Sequence, residues 1–441
     1  MGYSARLAEP RIFNRLCSIF VLCWVLLACG AFVRMPMPLD STQYRLAGVT
    51  VRYGESDSLY PFPSQDSFRN PGAPEDSELA PRQLELAKQF AVPHAMRFIS
   101  PPPVALLSLP FGFGGYWQSH RLFLLIGAIA AWRSVVQAGN IHQILTTRKA
   151  SDEGQSPEPQ ESRTTGWLML LVGCSLMMYG CLRIGNVSTI IGWLLGGATI
   201  DLLNRKTVRP ALSLAFAATL KYIGLAYAPL LLLTRRIKTL IWSAIFLMLI
   251  FGITWAIMGS GPFEDFYARI VPTLHRSFQI GPNQSVEAML MRYRGTNSLP
   301  EGWKLCLNIA RAGMLVLVMA LLIRRTLGGW DAPSLVAGAL SLIIWMLVFS
   351  PIFWFHYHAY LVPFWGYLFY EAAQSRNRRI IVAIAIAIVW VPFPMYVYYH
   401  PPEPFDSLML YSAVLMWMLS LWRLSEPVSG NVHRPQTVEA A

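Results

Sequence analysis

Three polar positions stand out because they interrupt or border long apolar stretches. Asp40 follows the first apolar run, Lys221 breaks the stretch 211–233, and His356 lies in the segment 350–358 between two further runs. A carboxylate can act as a general base towards a hydroxyl group. A lysine or histidine at membrane depth is a natural partner for a phosphate. These residue types therefore suit group transfer from a phosphate to a hydroxyl.

Each of these positions also has an ordinary structural explanation. Asp40 could be a solvated loop aspartate or a helix N-cap. Lys221 could extend its ammonium group from a hairpin tip to the membrane surface. His356 and His358 could belong to an interfacial aromatic belt; they point about 200° apart on a helix, so one can face a cavity while the other does not. No third ligand is evident beside them, and we expect neither a metal nor another cofactor.

The composition indicates that lipid is the solvent of this chain. Of its 441 residues, 54% are hydrophobic and 14% are charged, whereas soluble domains carry about 25% charged residues. Runs such as 240–259 and 380–399 have the roughly 20 residues that a bilayer core requires. The net charge of +12 comes mostly from short basic clusters between apolar runs. That arrangement indicates membrane topology and argues against nucleic-acid binding.

The sequence therefore predicts an all-α polytopic membrane protein with about 12 transmembrane helices. The basic clusters put both termini in the cytoplasm, provided that 208–234 is a short hairpin turning near Lys221 and that 101–115 is a partial or re-entrant piece. The predicted spans are 17–35, 119–138, 166–183, 186–203, 208–220, 222–234, 237–259, 304–323, 332–350, 355–373, 379–399 and 407–422.

We expect one membrane domain over residues 1–423. It has a long first extracytoplasmic loop at 36–100, a cytoplasmic linker at 139–165 and a second extracytoplasmic loop at 260–303. Residues 424–441 have the composition of a disordered cytoplasmic tail. This topology puts Asp40, Lys221 and His356 at the same extracytoplasmic face.

The order of the motifs resembles glycosyltransferase family 87, a family of polyprenyl-phosphate-sugar-dependent, mannosyltransferase-like enzymes with a GT-C fold. Where this family has tyrosine, glutamine and serine, the chain has Ser100, Asn186 and Phe353. The motifs that carry the resemblance are Asp40-x3-Tyr44-x2-Ala47, Ser58-Leu59-Tyr60, Phe98-Ile99-Ser100-Pro101-Pro102, Gly185-Asn186, Leu220-Lys221 with Pro229 and Arg235-Arg236, Asn283-Gln284-Ser285 with Arg292, and Ser350-Pro351-Ile352-Phe353-Trp354-Phe355-His356.

The resemblance implies a GT-C-type bundle in the cell membrane that moves a hexose, with mannose the family default, from a polyprenyl-phosphate donor to a lipid or glycan acceptor. Asp40 would be the catalytic base, and a single displacement would invert the anomeric carbon. Lys221 and His356 would hold the donor phosphate. The further candidates for substrate contact are Tyr44, Asn186, Asn283, Arg292 and His358.

Two other classes of function fit part of the sequence. A transporter or flippase for a lipid-linked sugar or an anion could use Lys221 and the histidines as a substrate path. Transporters often contain internal repeats with matching broken helices, and we find no such repeat here. A scaffold for envelope assembly would not need Asp40, Lys221 and His356 on one face. The sequence therefore favours the transferase.

Overall fold

The computed structural model describes residues 10–33, 39–60, 79–92, 98–154, 159–274, 277, 283–390 and 407–427. Within these residues it is all-α, with one isolated β-bridge between Asn283 and Trp354 and no β-strand. The α-helices are α1 Pro10–Val33, α2 Leu39–Arg52, α3 Pro81–Gln89, α4 Pro102–Leu107, α5 Tyr116–Asp152, α6 Pro159–Gly173, α7 Leu176–Ile184, α8 Ser188–Leu203, α9 Val208–Lys221, α10 Tyr227–Leu233, α11 Ile237–Met258, α12 Gly261–Asp265, α13 Val271–Leu274, α14 Val286–Arg294, α15 Glu301–Gly328, α16 Ala332–Val348, α17 Trp365–Gln374, α18 Arg376–Val389 and α19 Leu408–Ser425.

Several of these helices are long and apolar enough to cross a membrane, so the chain is a helical membrane protein. Among the described residues, five helices meet that requirement alone: α1, α5, α11, α15 and α19. The consecutive helices α6 and α7 would make a sixth span, with a bend of 43° between them. The predicted number of about 12 crossings is therefore not confirmed, because many of the apolar stretches form shorter or broken helices.

The centre and the periphery of the bundle follow from burial. Only 11% of the apolar window of α11 and 17% of that of α15 is buried, whereas 61% is buried in α5. Nearly the whole of α16 is buried, and so is most of α8. Helices that are apolar on all sides yet exposed are suited to face lipid. The structure therefore places α8 and α16 inside and α11 and α15 at the lipid boundary.

Glycines allow the backbones to approach closely in this core. A Cβ atom on Gly192 of α8 would overlap the carbonyl oxygen of Ala359, and one on Gly366 of α17 would overlap that of Ala138 in α5. Small residues at helix contacts are a common feature of membrane bundles, where van der Waals packing supplies much of the association energy. The first contact holds α8 against the segment that contains His356, and the second holds α17 against α5.

Short irregular segments interrupt the α-helices of the described residues, and two of them lie within predicted spans. The 3₁₀ segments are Ser56–Ser58, Leu109–Gly112, Ile223–Ala226 and Phe355–Phe364, and Phe266–Ile270 forms a π-helical turn. Residues 355–373, predicted as one span, are the last of these 3₁₀ segments followed by the ten-residue helix α17. The segment 101–115 comprises the six-residue helix α4 and a 3₁₀ turn, too short to cross a bilayer core.

The hairpin predicted near Lys221 is confirmed. Helix α9 ends at Lys221, and Tyr222 adopts a positive φ of 54° that turns the chain. Gly224 then packs against the backbone of Leu214 and Ala218, which it could not reach from a continuous helix. The chain therefore reverses after Lys221 and leaves this side chain at the tip.

Most of the predicted linker at 139–165 is helical in the structure. Helix α5 continues to Asp152 and α6 begins at Pro159, so residues 139–152 and 159–165 are helical. Ile141 and Leu145 lie one turn apart on α5 and are fully buried. This apolar stripe keeps the helix packed beyond the end of its apolar run.

Parts of other predicted segments lie outside the described residues. These are 34–38, 61–78 and 93–97 around the first loop, 155–158 in the predicted linker, 275–276 and 278–282 in the second loop, 391–406 after α18, and 428–441 in the predicted tail. Residues 424–425, at the start of that predicted tail, belong to α19 and are helical.

Buried and partly buried ion pairs connect residues near the C-terminal end of the chain. Arg378 pairs with Glu371 and with Glu426, and Arg423 pairs with Asp331. Glu371 has no exposed side-chain surface. Breaking one partner of such a buried pair costs about 3–5 kcal/mol because the other charge is left uncompensated.

Candidate active site

Asp40 lies in the first turn of α2, where the partial positive charge of the helix N-terminus favours a carboxylate. Its side chain is 23% exposed. The Oδ2 atom accepts a hydrogen bond of 2.9 Å from the Nδ2 atom of Asn186. A carboxylate that is held in place and still accessible has the geometry of a general base.

Asn186 is oriented by its own surroundings. The carbonyl oxygen of its side chain accepts hydrogen bonds from the backbone N–H and the hydroxyl of Ser188, at 3.1 and 2.8 Å. These bonds fix which end of the amide points towards Asp40. Gly185, just before it, has a φ of 66° in the left-handed region, which makes the tight turn between α7 and α8 possible.

His356 is the third member of this group. Its Nε2 atom lies 3.9 Å from Oδ2 of Asp40, and its side chain is 5% exposed. Neither ring nitrogen has a hydrogen-bond partner among the described residues. Since buried polar atoms are nearly always hydrogen-bonded, such an imidazole is suited to a ligand that supplies the missing partner.

Lys221 also lies near Asp40. Its Nζ atom donates a hydrogen bond of 3.1 Å to the hydroxyl of Tyr357, and it is close enough to Asp40 to act on it electrostatically. Within the described residues, no carboxylate comes within ion-pair distance of this ammonium group. A partly buried cation without an acidic partner is suited to bind an anionic ligand.

Tyr44 lies one helical turn after Asp40 on α2, so the two side chains share a face of the helix. Its ring is buried and stacks on Phe123 with a centroid distance of 5.6 Å. Lys221 also acts electrostatically on its hydroxyl. The structure therefore brings together five side chains: Asp40, Tyr44, Asn186, Lys221 and His356.

The surroundings of Asp40 change its basicity. Burial raises the pKa of this carboxyl above the ordinary aspartate value, while the hydrogen bond from Asn186 and the charge of Lys221 lower it. Burial is the largest of the three effects, so the pKa is raised overall. A carboxylate with a raised pKa is a stronger base, which favours proton removal from a hydroxyl near neutral pH.

Three candidates from the sequence analysis have polar partners inside the protein. Asn283 donates to the carbonyl of Pro351 and accepts from the N–H of Phe353, at 3.0 and 2.9 Å. Arg292 donates to the carbonyl of Asn283 at 2.6 Å, and a ring nitrogen of His358 lies 2.7 Å from the carbonyl oxygen of Met409. Asn283 thereby clamps the segment that precedes His356, and Arg292 holds Asn283. Contact of these three residues with a substrate stays a prediction.

Tyr357 was not among the candidates from the sequence. It follows His356 directly and is mostly buried, with its ring stacked on Tyr360 at 5.1 Å. Its hydroxyl accepts from Lys221 and keeps its own proton available for donation. The sequence signal was its position beside His356, but only the fold shows that it meets a lysine 136 residues away.

Arg45 was also missed. Its buried guanidinium donates to the carbonyl oxygens of Phe111 and Phe90, at 3.1 and 3.2 Å, and to the hydroxyl of Ser119. Arginine carries five donors in a rigid fork, so it can satisfy several carbonyl groups together. Arg45 thereby ties the helix of Asp40 to the segment around Leu109–Gly112.

No group of three or more histidine, cysteine, aspartate or glutamate side chains in the described part of the chain could hold a metal ion. Around Asp40 the nearby groups are an amide, an imidazole and an ammonium. An ammonium and an imidazole do not suit a hard divalent cation, which prefers oxygen ligands.

A family model described as glycosyltransferase family 87 matches residues 98–351, which is more than half of the chain. The match includes Asn186, Lys221 and Asn283, while Asp40 precedes it and His356 follows it. The comparison with curated proteins found no match.

Proposed function

Because the chain belongs to glycosyltransferase family 87 and is thus a sugar-transferring enzyme, we propose that it uses a polyprenyl-phosphate sugar as donor. The transferred sugar is a hexose, with mannose as the first candidate, and the acceptor is a lipid or a glycan. The observation that carries this proposal is the meeting of a carboxylate, Asp40, with the imidazole of His356 and the ammonium group of Lys221. Among the described residues, the imidazole has no hydrogen-bond partner and the ammonium group has no carboxylate within ion-pair distance.

In the proposed reaction, Asp40 removes the proton of an acceptor hydroxyl while the acceptor oxygen attacks the anomeric carbon. The bond from that carbon to the phosphate oxygen breaks, and the polyprenyl phosphate leaves with the electron pair. Lys221 and His356 stabilise the charge that develops on the phosphate. A single displacement of this kind inverts the anomeric carbon.

The electrostatic surroundings of Asp40 support inversion. The groups in the described residues that act on its carboxyl are Asn186 and Lys221, with no second carboxylate among them. Hydrolases that retain the anomeric configuration form a covalent sugar intermediate, and they use two carboxylates about 5–5.5 Å apart, one of them as nucleophile. A lone base is the pattern that direct attack by the acceptor requires.

We further propose that the enzyme lies in the cell membrane with both termini in the cytoplasm and with Asp40 at the extracytoplasmic face. The basic loops after α8 and α10 support this orientation, since such loops remain preferentially in the cytoplasm. At the extracytoplasmic face, the phosphate of the donor reaches Lys221 while its apolar tail remains in lipid.

The test is transfer from radiolabelled polyprenyl-phosphate mannose by membranes that contain the wild type, Asp40→Asn or Asp57→Asn, with a lipid extract as acceptor. Asp57 is an exposed carboxylate in the same loop and serves as the matched control. General base catalysis contributes about 10²–10⁴-fold, so Asp40→Asn is expected to lose at least a hundredfold at equal expression.

Two results would contradict the proposal. Equal transfer by the wild type and Asp40→Asn would remove Asp40 from the reaction. No transfer from any polyprenyl-phosphate hexose, together with transfer from a nucleotide sugar, would replace the donor class and keep the family activity.

A further inference from the structure

We propose that the end of the bundle opposite Asp40 binds the headgroup phosphate of an anionic membrane phospholipid. The binding group is Arg148, Arg205 and Arg236, called the arginine cluster below. Arg148 lies near the end of α5, Arg205 follows α8 and Arg236 precedes α11. Three helices that are distant in sequence thus bring one arginine each to the same place.

The three guanidinium groups lie near one another, and the charges of Arg148 and Arg205 repel that of Arg236. The Nη2 atom of Arg148 donates to the carbonyl oxygen of Leu203 at 2.7 Å, which brings its guanidinium beside the turn that contains Arg205. Both Arg148 and Arg205 act electrostatically on Arg236. Like charges at close range cost free energy unless an anion lies between them.

The protein itself provides no such anion in the part that the structure describes. No carboxylate forms an ion pair with any of the three arginines. The nearest acid in sequence, Asp201, already pairs with Lys206 at 3.0 Å and with Arg209 at 3.1 Å. An external phosphate would supply the missing charge, and guanidinium groups bind phosphate through paired hydrogen bonds.

Exposed apolar side chains beside the cluster favour a lipid as the source of that phosphate. Ile237 is 41% exposed and Ile241 is 52% exposed on α11, directly after Arg236, and Trp242 is 41% exposed. Tryptophan is enriched at the boundary between headgroups and acyl chains. A molecule that joins a phosphate to acyl chains matches both surfaces, whereas a free phosphate would use only the arginines.

The cluster is separate from the candidate active site. Helix α8 starts beside Asn186 and ends at Leu203, and α9 starts at Val208 and ends at Lys221. Each of these helices is about 20–24 Å long, at 1.5 Å per residue. The lipid would thus bind at the other end of both helices, and the inference does not depend on the proposed function.

The test measures lipid binding to the purified full-length protein by native mass spectrometry, in a detergent supplemented with phosphatidylglycerol or with phosphatidylcholine of the same acyl chains. The variant Arg148→Gln/Arg205→Gln/Arg236→Gln removes the cluster. The matched control, Lys88→Gln/Arg121→Gln/Arg294→Gln, removes three exposed basic side chains elsewhere. One basic residue near an anionic surface changes affinity about fivefold, so the cluster variant is expected to bind phosphatidylglycerol about 100-fold more weakly.

The expected pattern is a preference for phosphatidylglycerol that the wild type and the control share and the cluster variant loses. Retention of the preference by the cluster variant, or equal binding of both lipids by the wild type, would overturn the proposal. Displacement of the lipid by millimolar inorganic phosphate would overturn the lipid source and leave a free-anion site. If the triple variant does not fold, the three single variants are measured, each with an expected loss of about fivefold.

Discussion

Asp40 is affected by two opposing influences, burial and hydrogen bonding, and their balance sets the pH range in which it can act as a base. Burial raises its pKa, while Asn186 and Lys221 stabilise the carboxylate and lower it. A base must be deprotonated to act, so the transfer rate should fall as the pH falls through the raised pKa of Asp40. This acid limb reports directly on the contacts of one side chain.

We predict that Asn186→Ala moves the acid limb of the rate–pH profile to higher pH. The variant removes a hydrogen bond that stabilises the charged form of Asp40, so the pKa of this carboxyl rises further. The measurement is kcat/KM for transfer against pH. Asn204→Ala, at an exposed asparagine after α8, is the control and should leave the profile unchanged. An acid limb that does not move in Asn186→Ala would rule out Asp40 as the titrating base.

Tyr357 offers a second test at the level of one residue. We predict that Tyr357→Phe raises the KM for the donor about tenfold, because a hydrogen bond to a charged group contributes about 1.5–3 kcal/mol. The ring and its stacking on Tyr360 remain in this variant. Combined with Lys221→Met, the loss should be smaller than the product of the two single losses, since the two groups share one hydrogen bond.

The control for this cycle is Tyr293→Phe, at a tyrosine that is 80% exposed. Two results would exclude Tyr357 from donor binding. One is a KM for the donor that is unchanged in Tyr357→Phe, and the other is a double-variant loss equal to the product of the two single losses. The catalytic base would not be affected by that outcome.

At the scale of elements, α2 is held in place by contact between backbones. A Cβ atom on Gly48 would overlap the carbonyl oxygen of Ser108 and come within 2.9 Å of the backbone nitrogen of Gly112. Arg45, on the same helix, binds carbonyl groups of the neighbouring segments. The position of Asp40 therefore depends on how closely α2 fits against residues 108–112.

We predict that Gly48→Ala destabilises the protein by about 1–3 kcal/mol and lowers transfer, because the extra methyl group forces two backbones apart. Gly252→Ala is the matched control, since Gly252 also lies in a helix and has no atom within 4 Å of an added Cβ. Thermal unfolding in detergent and transfer assays check both variants. Equal stability of the two would mean that the contact at Gly48 is not tight.

The elements also show what the sequence could and could not predict. Hydropathy correctly predicted regular apolar helices such as Ile237–Met258, because lipid exposure leaves an uninterrupted run. It did not predict the 3₁₀ segment Phe355–Phe364 or the bend between α6 and α7, where the chain departs from a straight helix within an apolar stretch. The composition of a segment indicates whether lipid or water surrounds it. It does not indicate such local changes of backbone geometry.

The same limit applies to the candidate site. The residue types of Asp40, Lys221 and His356 were informative because charged or titratable groups are costly at membrane depth. Asn283 and Arg292 have equally suggestive types, and the fold shows contacts that the sequence did not predict: Asn283 binds Pro351 and Phe353, and Arg292 binds the carbonyl of Asn283. Which polar groups meet a substrate and which meet a carbonyl depends on long-range contacts that spacing along the chain does not encode.

At the scale of the whole molecule, two chemically different ends are separated by the length of α8 and α9. One end contains Asp40 and Lys221, and the other contains the arginine cluster and the basic turns. Since Lys and Arg are retained preferentially on the cytoplasmic side, this polarity gives the proposed orientation a physical cause. A polyprenyl-phosphate donor displayed outside the cell membrane would then reach Lys221 directly.

This orientation predicts which surfaces a membrane-impermeant thiol reagent can reach in intact cells. A cysteine in place of Lys88, which is exposed on α3 near α2, should be labelled without permeabilisation. A cysteine in place of Glu153, which is exposed at the end of α5, should be labelled only after permeabilisation. The wild type, whose exposed cysteines are Cys23 and Cys306, provides the background. The opposite pattern would put Asp40 on the cytoplasmic side, where nucleotide sugars are available. A soluble nucleotide sugar would then replace the lipid-linked sugar as the expected donor.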